Sequence, residues 1–157
     1  MTLRLTSPLL AEGERIPRPL TADGGGHIPP LAWDGEPPGV QSYALVLHDP
    51  DAPEGDFTHW LRWDIPATCR SLPAGPPAEE VGTTGRNSFG QTGYHGPAPP
   101  PGDGLHRYYF ELHALDTPRL GLPRGTERKQ FEEAIKPHLL ETARLMLLCA
   151  RPPSNRG

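Results

Sequence analysis

The sequence predicts a mainly β protein with short helices confined to its C-terminal part. Three observations carry that prediction. "THWLRWDI" (Thr58–Ile65) and "HRYYFELHAL" (His106–Leu115) alternate with the two-residue period of a strand. "SYALVLHD" (Ser42–Asp49) is a nearly continuous apolar run, the pattern of a strand covered on both faces. Helical spacing appears only late, in "TERKQFEEAI" (Thr126–Ile135).

Composition sets the setting for these elements. The 18 Gly and 22 Pro make about a quarter of the 157 residues, a content at which low-complexity disorder has to be considered. A net charge of only −4 and compact apolar runs at Tyr43–Leu47, Tyr108–Phe110 and Leu145–Cys149 point instead to a globular, loop-rich fold. A chain of this length buries roughly 70% of its unfolded surface as one domain. We place that domain at residues 1–151 and expect 152–157 to be a frayed tail.

In chain order, "LRLTS" (Leu3–Ser7) alternates and reads as a short first strand. Residues 11–39 carry Pro17, Pro19, Gly24–Gly26, Pro29–Pro30 and Pro37–Gly39, so turns and extended segments are the accessible conformations there. The buried strand Ser42–Asp49 follows and ends in the turn "DPDAP". In Thr58–Ile65, His59, Leu61, Trp63 and Ile65 share one face. Thr58, Trp60, Arg62 and Asp64 form an exposed-looking row on the other, where Trp60 packs on a second sheet, lies under a loop, or joins a dimer contact. In His106–Leu115, the face of His106, Tyr108, Phe110, Leu112 and Ala114 opposes that of Arg107, Tyr109, Glu111 and His113. Thr126 is the expected N-cap of the late helix, with Glu127 at its positive end. Pro137 fits the first turn of a second short helix, His138–Ala143, and Arg144–Ala150 forms a last strand.

Several function classes are disfavoured. A pI of about 5.9 lacks the basic excess of a nucleic-acid binder or of a protein adhering to anionic membranes. No secretory leader pattern opens the sequence, and no run reaches 18 apolar residues, so a cytoplasmic protein without integral membrane association is expected. Cys69 and Cys149 read as free thiols, the second buried, with no metal spacing around either.

The chemistry concentrates at strand ends. His59 and His106 each open an apolar strand row, and Asp49 and Asp51 close the strand before them. Either histidine alone reads as a satisfied core residue at a sheet end, whereas two at equivalent ends beside an acidic turn point to a shared polar pocket. "GTTGRNSFGQTGYHGP" (Gly82–Pro97) supplies Gly85, Gly90, Gly93 and Gly96, residues that let backbone N–H groups approach an anion. It is neither a dinucleotide fingerprint nor a P-loop, and "GRNSFG" is not a nucleophile elbow.

Taken together, "DPDAP", "HW" and "GRNSFGQTGYHGPAPPPGDGLHRYYFELHALD" resemble the phosphatidylethanolamine-binding protein family, in its bacterial Raf-kinase-inhibitor-like branch. "TSP" (Thr6–Pro8), "IPPLAW" (Ile28–Trp33), "SLPAG" (Ser71–Gly75) and "LHALDTP" (Leu112–Pro118) occur in the family's order, so the resemblance spans nearly the whole chain. It implies a β-sandwich of two packed sheets with short C-terminal helices and an anion pocket at one end. Residue by residue, it implies ligand-binding roles for Asp49, Asp51, His59, Gly93, Gly96, Pro97, His106 and Tyr108, with Arg107 pairing outside or behind the pocket. Cysteines frequent in the branch are replaced here by Ala22 and Ala98, which removes any redox role at those positions.

The expected function is a non-catalytic binding protein for a small phosphorylated or other anionic ligand, such as phosphate or a phosphoethanolamine head group, with no cofactor. Histidines near their ordinary pKa would strengthen anion binding as pH falls. The alternatives are a kinase- or protease-inhibitor-type interaction module and, behind it, a phosphoester hydrolase using the His and Asp side chains. A protein partner and a homodimer are further expectations from the resemblance.

Overall fold

The computed structural model describes residues 2–151; the expected frayed tail lies outside them. Two antiparallel sheets pack face to face. The smaller has strands β1 (Arg4–Thr6), β2 (Leu31–Asp34) and β5 (Ser71–Leu72) in the order β1-β2-β5. The larger is ordered β6-β4-β3-β7-β8, from β3 (Ser42–Asp49), β4 (Phe57–Pro66), β6 (Thr83–Thr84), β7 (His106–Leu115) and β8 (Leu139–Cys149). The short helix α1 (Arg128–Ile135) covers the outer face of the larger sheet.

This layering explains why β3 is apolar throughout. Tyr43, Leu45 and Leu47 face the small sheet, in a core shared with Leu5, Leu31, Trp33 and Leu72. Ala44 and Val46 face the other way, onto Leu61, Trp63, Phe131 and Ile135. All eight residues of β3 are buried. Each fully buried apolar side chain contributes about 1.5–3 kcal/mol, so the central strand anchors both layers.

Strand β4 departs from the expected alternation because it is bulged twice against β3. Its register slips between the pairs Tyr43↔Ile65 and Leu45↔Arg62, and again between Leu47↔Trp60 and His48↔Thr58. At the first slip Asp64 adopts φ 57°, and its carboxylate accepts the Leu120 N–H at 2.9 Å. Each bulge adds a residue and reverses which neighbours share a face. Consequently Trp60 and Ile65 face the inter-sheet core, while Leu61 and Trp63 face α1. The expected common face of His59, Leu61, Trp63 and Ile65 is therefore split.

The row expected to look exposed is buried, apart from a half-buried Asp64. Arg62 is 1% exposed, and its guanidinium donates to the carbonyls of Val81 (2.6 Å), Glu79 (2.9 Å) and Gly82 (3.1 Å) and to the Glu79 carboxylate (2.8 Å). Glu79 also accepts the Tyr94 N–H at 2.9 Å. One buried arginine thus ties the 79–82 loop to β4, and through Glu79 to the loop that precedes His95.

The C-terminal helices need two corrections. Glu127 stands at the N-cap position of α1, while the Thr126 hydroxyl turns back to the Pro123 carbonyl at 2.6 Å. No second helix forms at 138–143. Lys136–His138 makes a single 3-10 turn containing Pro137, and the chain then pairs with β7 from Leu139 to Cys149. Ladder bonds along that length outweigh the weak local helical preference. The outer edge of β8 is covered by the N-terminal segment, through Gly13 N–H to Met146 O (2.7 Å), Leu148 N–H to Glu14 O (2.9 Å) and Ile16 N–H to Leu148 O (2.7 Å).

Candidate functional site

The order β4-β3-β7 brings the C-terminal end of β3 beside the N-terminal ends of its two antiparallel neighbours. Asp49 pairs with Phe57 of β4, and His48 with Tyr109 of β7. Asp49, His59, His106 and Tyr108, far apart in sequence, therefore converge at one end of the large sheet. A cavity of about 190 Å³ opens there. Asp49, His59 and Tyr108 line it, with Phe57, Phe89, Ala52, Pro53, Ala98, Pro99 and Pro100 as mostly apolar walls.

Asp49 is 2% exposed and held from two sides. One carboxylate oxygen accepts the Asp51 N–H at 2.8 Å, and the other lies 2.6 Å from His106 Nδ1. The opposite nitrogen of His106, Nε2, lies 2.6 Å from the Asp103 carboxylate. His106 thus sits behind the cavity, clamped between two carboxylates. Burial opposes its charge, but the hydrogen bonds to Asp49 and Asp103 outweigh burial and raise its pKa.

His59 is held differently. Its Nδ1 lies 3.0 Å from the His95 carbonyl, which can only accept, so Nδ1 carries the proton. Burial lowers its pKa to about 4, leaving a neutral ring at pH 7. The expectation of a cavity histidine titrating near its ordinary value therefore fails for His59, because desolvation disfavours the imidazolium. The ring packs edge-on to Tyr108 (centroids 5.3 Å) and Phe89 (5.4 Å), and Phe89 stacks on His95 at 3.6 Å.

Tyr108 supplies the unpaired group. Its hydroxyl is buried beside the Asp49 side chain and the Ala98 backbone, and among the described residues it completes no hydrogen bond of good geometry. Burial and the neighbouring Asp49 charge push its ionisation up, so it remains a neutral O–H donor.

The other expected ligand residues do not line the cavity. Asp51 pairs with Arg107, accepting from Nε (2.9 Å), Nη2 (2.8 Å) and the backbone N–H (2.8 Å), and these bonds lower its pKa to about 2. Arg107 is half exposed, and neither it nor Asp51 is among the residues that line the cavity. Gly93 donates to the Gly85 carbonyl and accepts from Asn87, beside Glu79. Gly96 packs against the N-terminal loop, where an added Cβ would lie 2.9 Å from Gly26 Cα. The Pro97 carbonyl accepts the Ala22 N–H at 2.9 Å. These three frame the loop that carries His95 and Ala98.

Sequence reasoning missed Phe57, Phe89, His95 and Asp103. Apolar aromatic walls carry no titratable signal, whereas "GDG" (102–104) before His106 is a signal that could have flagged Asp103. Cys149 pairs in register with His106, and burial pushes its thiol up to about 11. Cys69 and Cys149 are both free. Among the described residues, no group of three or more His, Cys, Asp or Glu is arranged to hold a metal ion, and no helix is long and apolar enough to cross a membrane. A larger cleft, about 610 Å³ between residues 86–90 and α1, is lined by residues of both charges and contains none of the expected site residues.

Comparison with known proteins gives concordant matches. The family model described as phosphatidylethanolamine-binding protein matches residues 6–150. A UPF0098 protein of Aquifex aeolicus is 43% identical over 143 residues, covering 88% of this chain and 83% of that one. UPF0098 protein YbhB of Escherichia coli is 36% identical, over 90% of this chain and 96% of its own. The crystal structure of E. coli YbcL, described as a new member of the mammalian PEBP family, superposes with a TM-score of 0.89 at 29% identity, covering 96% of this chain and 99% of that one.

Proposed function

Because the chain belongs to the phosphatidylethanolamine-binding protein family, we propose that it is a non-catalytic binding protein whose cavity at the sheet end takes a small phosphorylated or other anionic head group. The observation that carries this reading is the buried Tyr108 hydroxyl, which completes no hydrogen bond of good geometry among the described residues. Leaving such a donor unmade costs up to about 1–3 kcal/mol, a cost that a ligand oxygen reaching it from the cavity would remove. The walls of Phe57, Phe89 and three prolines exclude water around that bond and limit the ligand to a head group or a short chain.

The cavity also supports binding over turnover. Asp49 and His106 are engaged with each other and with Asp103, and the Nδ1 proton of His59 is committed to a backbone carbonyl. The side chains lining the cavity include no serine, threonine, cysteine or lysine to act as a nucleophile. A zwitterionic phosphoethanolamine would place its phosphate at Tyr108, while its ammonium would meet the acceptor atoms of Asp49 and His59. The test is calorimetric titration with phosphate and phosphoethanolamine beside a phosphoester turnover panel, with and without divalent metal. Saturable binding without turnover is expected. Metal-dependent turnover would overturn the reading in favour of a hydrolase, and absent binding would move it to a protein-interaction module.

A further inference from the structure

The anion reading meets an electrostatic difficulty inside the cavity. No arginine or lysine lines it, His59 is neutral, and the one charged lining group is the Asp49 carboxylate. A bare carboxylate would repel an incoming phosphate, since like charges at contact distance cost energy even at moderate dielectric. The compensating charge has to come from behind the wall.

Proton counting at His106 supplies it. Both ring nitrogens lie 2.6 Å from carboxylate oxygens, Nδ1 from Asp49 and Nε2 from Asp103. A neutral imidazole has one N–H and one lone pair, so one of these contacts would set a lone pair against a carboxylate oxygen. Two short contacts are satisfied together by two protons, as in an imidazolium. Asp103 does not line the cavity, and its side chain is 41% exposed while the His106 side chain is 2% exposed. Asp103 therefore meets solvent on one side and the buried ring on the other.

We propose that Asp103 is a positioning residue of the cavity: by clamping Nε2 of His106 it holds the ring as an imidazolium behind Asp49, so that the cavity carboxylate is neutralised and an anionic head group can enter. The inference rests on the anion-binding reading. When the anion arrives, the Nδ1 proton can shift to the Asp49 carboxylate. The N–H bond breaks, an O–H bond forms, and His106 becomes neutral, keeping its Nε2–H donated to Asp103. No proton leaves or enters the protein in that step.

The groups facing His106 from each packed element fit this role. Asp49 comes from β3 and Asp103 from the loop before β7. Cys149, opposite on β8, is held as a neutral thiol by burial. The nearby Asp51 is neutralised by Arg107. His106 is the group whose ionisation sets the cavity charge, and the two carboxylates raise its pKa. Below its transition the pair is neutral and admits an anion. Above it, Asp49 is left uncompensated and rejects one.

Two measurements test this with Asp103→Asn, which keeps an acceptor for Nε2–H and removes the charge. The first uses nitrogen-15 spectra of the histidine rings in the free protein. Both His106 nitrogens should be protonated at pH 7 in the wild type, with the transition at lower pH in the variant. A neutral ring in the wild type at pH 7 overturns the proposal whatever binds. The second follows the affinity for dimethyl phosphate, whose charge is constant across this range, from pH 6 to pH 9. Affinity should fall towards tenfold per pH unit above the His106 transition, and the onset should move down in the variant. Binding that ignores the transition overturns the role of Asp103 and leaves the anion pocket standing. A charged ring with no dimethyl phosphate binding at any pH overturns the anion reading itself, and the proposed admission of anions with it.

Discussion

Tyr108→Phe should make the ligand-free protein more stable and the ligand-binding protein worse. The substitution removes one oxygen atom from a fully buried side chain packed against His59. In most buried tyrosines that oxygen is hydrogen-bonded, and its loss destabilises. Here the hydroxyl lies beside the Asp49 side chain and the Ala98 backbone without completing a hydrogen bond of good geometry among the described residues, so the folded state carries part of a desolvation cost of about 1–3 kcal/mol that phenylalanine does not. Part of the gain is lost because the void left by the oxygen relaxes incompletely. A net stabilisation of about 1 kcal/mol is expected, equivalent to roughly 2–4 °C in Tm for a chain of this size. Binding should move the other way. A hydrogen bond to a charged oxygen contributes about 1.5–3 kcal/mol, so affinity for phosphate should fall roughly 10- to 100-fold. Urea unfolding of the two proteins without ligand, followed by phosphate titration of each, reads both effects. A variant at least 1 kcal/mol less stable than wild type would show that the hydroxyl is already satisfied, and the ligand-donor argument would fall.

Other outcomes follow from the same structure. Arg62→Met should cost about 3–5 kcal/mol in urea unfolding, because three carbonyls and the Glu79 carboxylate lose their buried donor; a loss below 1 kcal/mol would refute its role as the loop anchor. Acidification should destabilise the fold through His59 and His113, whose pKa values burial lowers from 6.5 to about 4. The unfolded chain then binds more protons between those values, so stability falls with pH across that window, by about 2 kcal/mol per histidine from pH 7 to pH 5. His106 and His48, raised by their carboxylate partners, have the opposite sign and lose their contribution as pH rises through their folded-state transitions. His113→Gln should remove its share of the acid loss, measured by urea unfolding at the two pH values. Asp51→Asn should change stability by less than about 1 kcal/mol, since Arg107 is half exposed, and should leave phosphate affinity within twofold of wild type; a larger loss of affinity would return Asp51 to the cavity.

The strands that build the site were legible because their periods are long and regular. β3, with both faces covered, and β7, with a polar outer face, declare themselves over eight and ten residues. β4 announced its existence but not its facing. Its bulges place a non-glycine residue, Asp64, at positive φ, which no local sequence signal marks. The strand at 139–149 was half hidden because residues 138–143 are acceptable in a helix; only the partner strand β7 decides between the two states. β2 escaped notice among prolines because four residues suffice where two neighbours supply the ladder. At the site, His59, His106 and Asp49 were legible as chemistry at strand ends. Which of Asp49 and Asp51 faces inward was not, since they sit two residues apart in one turn and the choice depends on Arg107. The aromatic walls were invisible for a simpler reason: Phe57 and Phe89 are 32 positions apart, and their rings meet edge-on at 4.8 Å only after folding.

The sharpest test of the sheet-end anion pocket is an amide chemical-shift titration of the wild-type protein with phosphate and phosphoethanolamine, and with acetate as a carboxylate anion. Saturable shifts centred on Asp49, His59, Phe89, Ala98 and Tyr108 are expected, with residues 127–132 of the larger outer cleft unmoved. Saturable shifts centred on that outer cleft, or none at the sheet end with any of the three ligands, would contradict it.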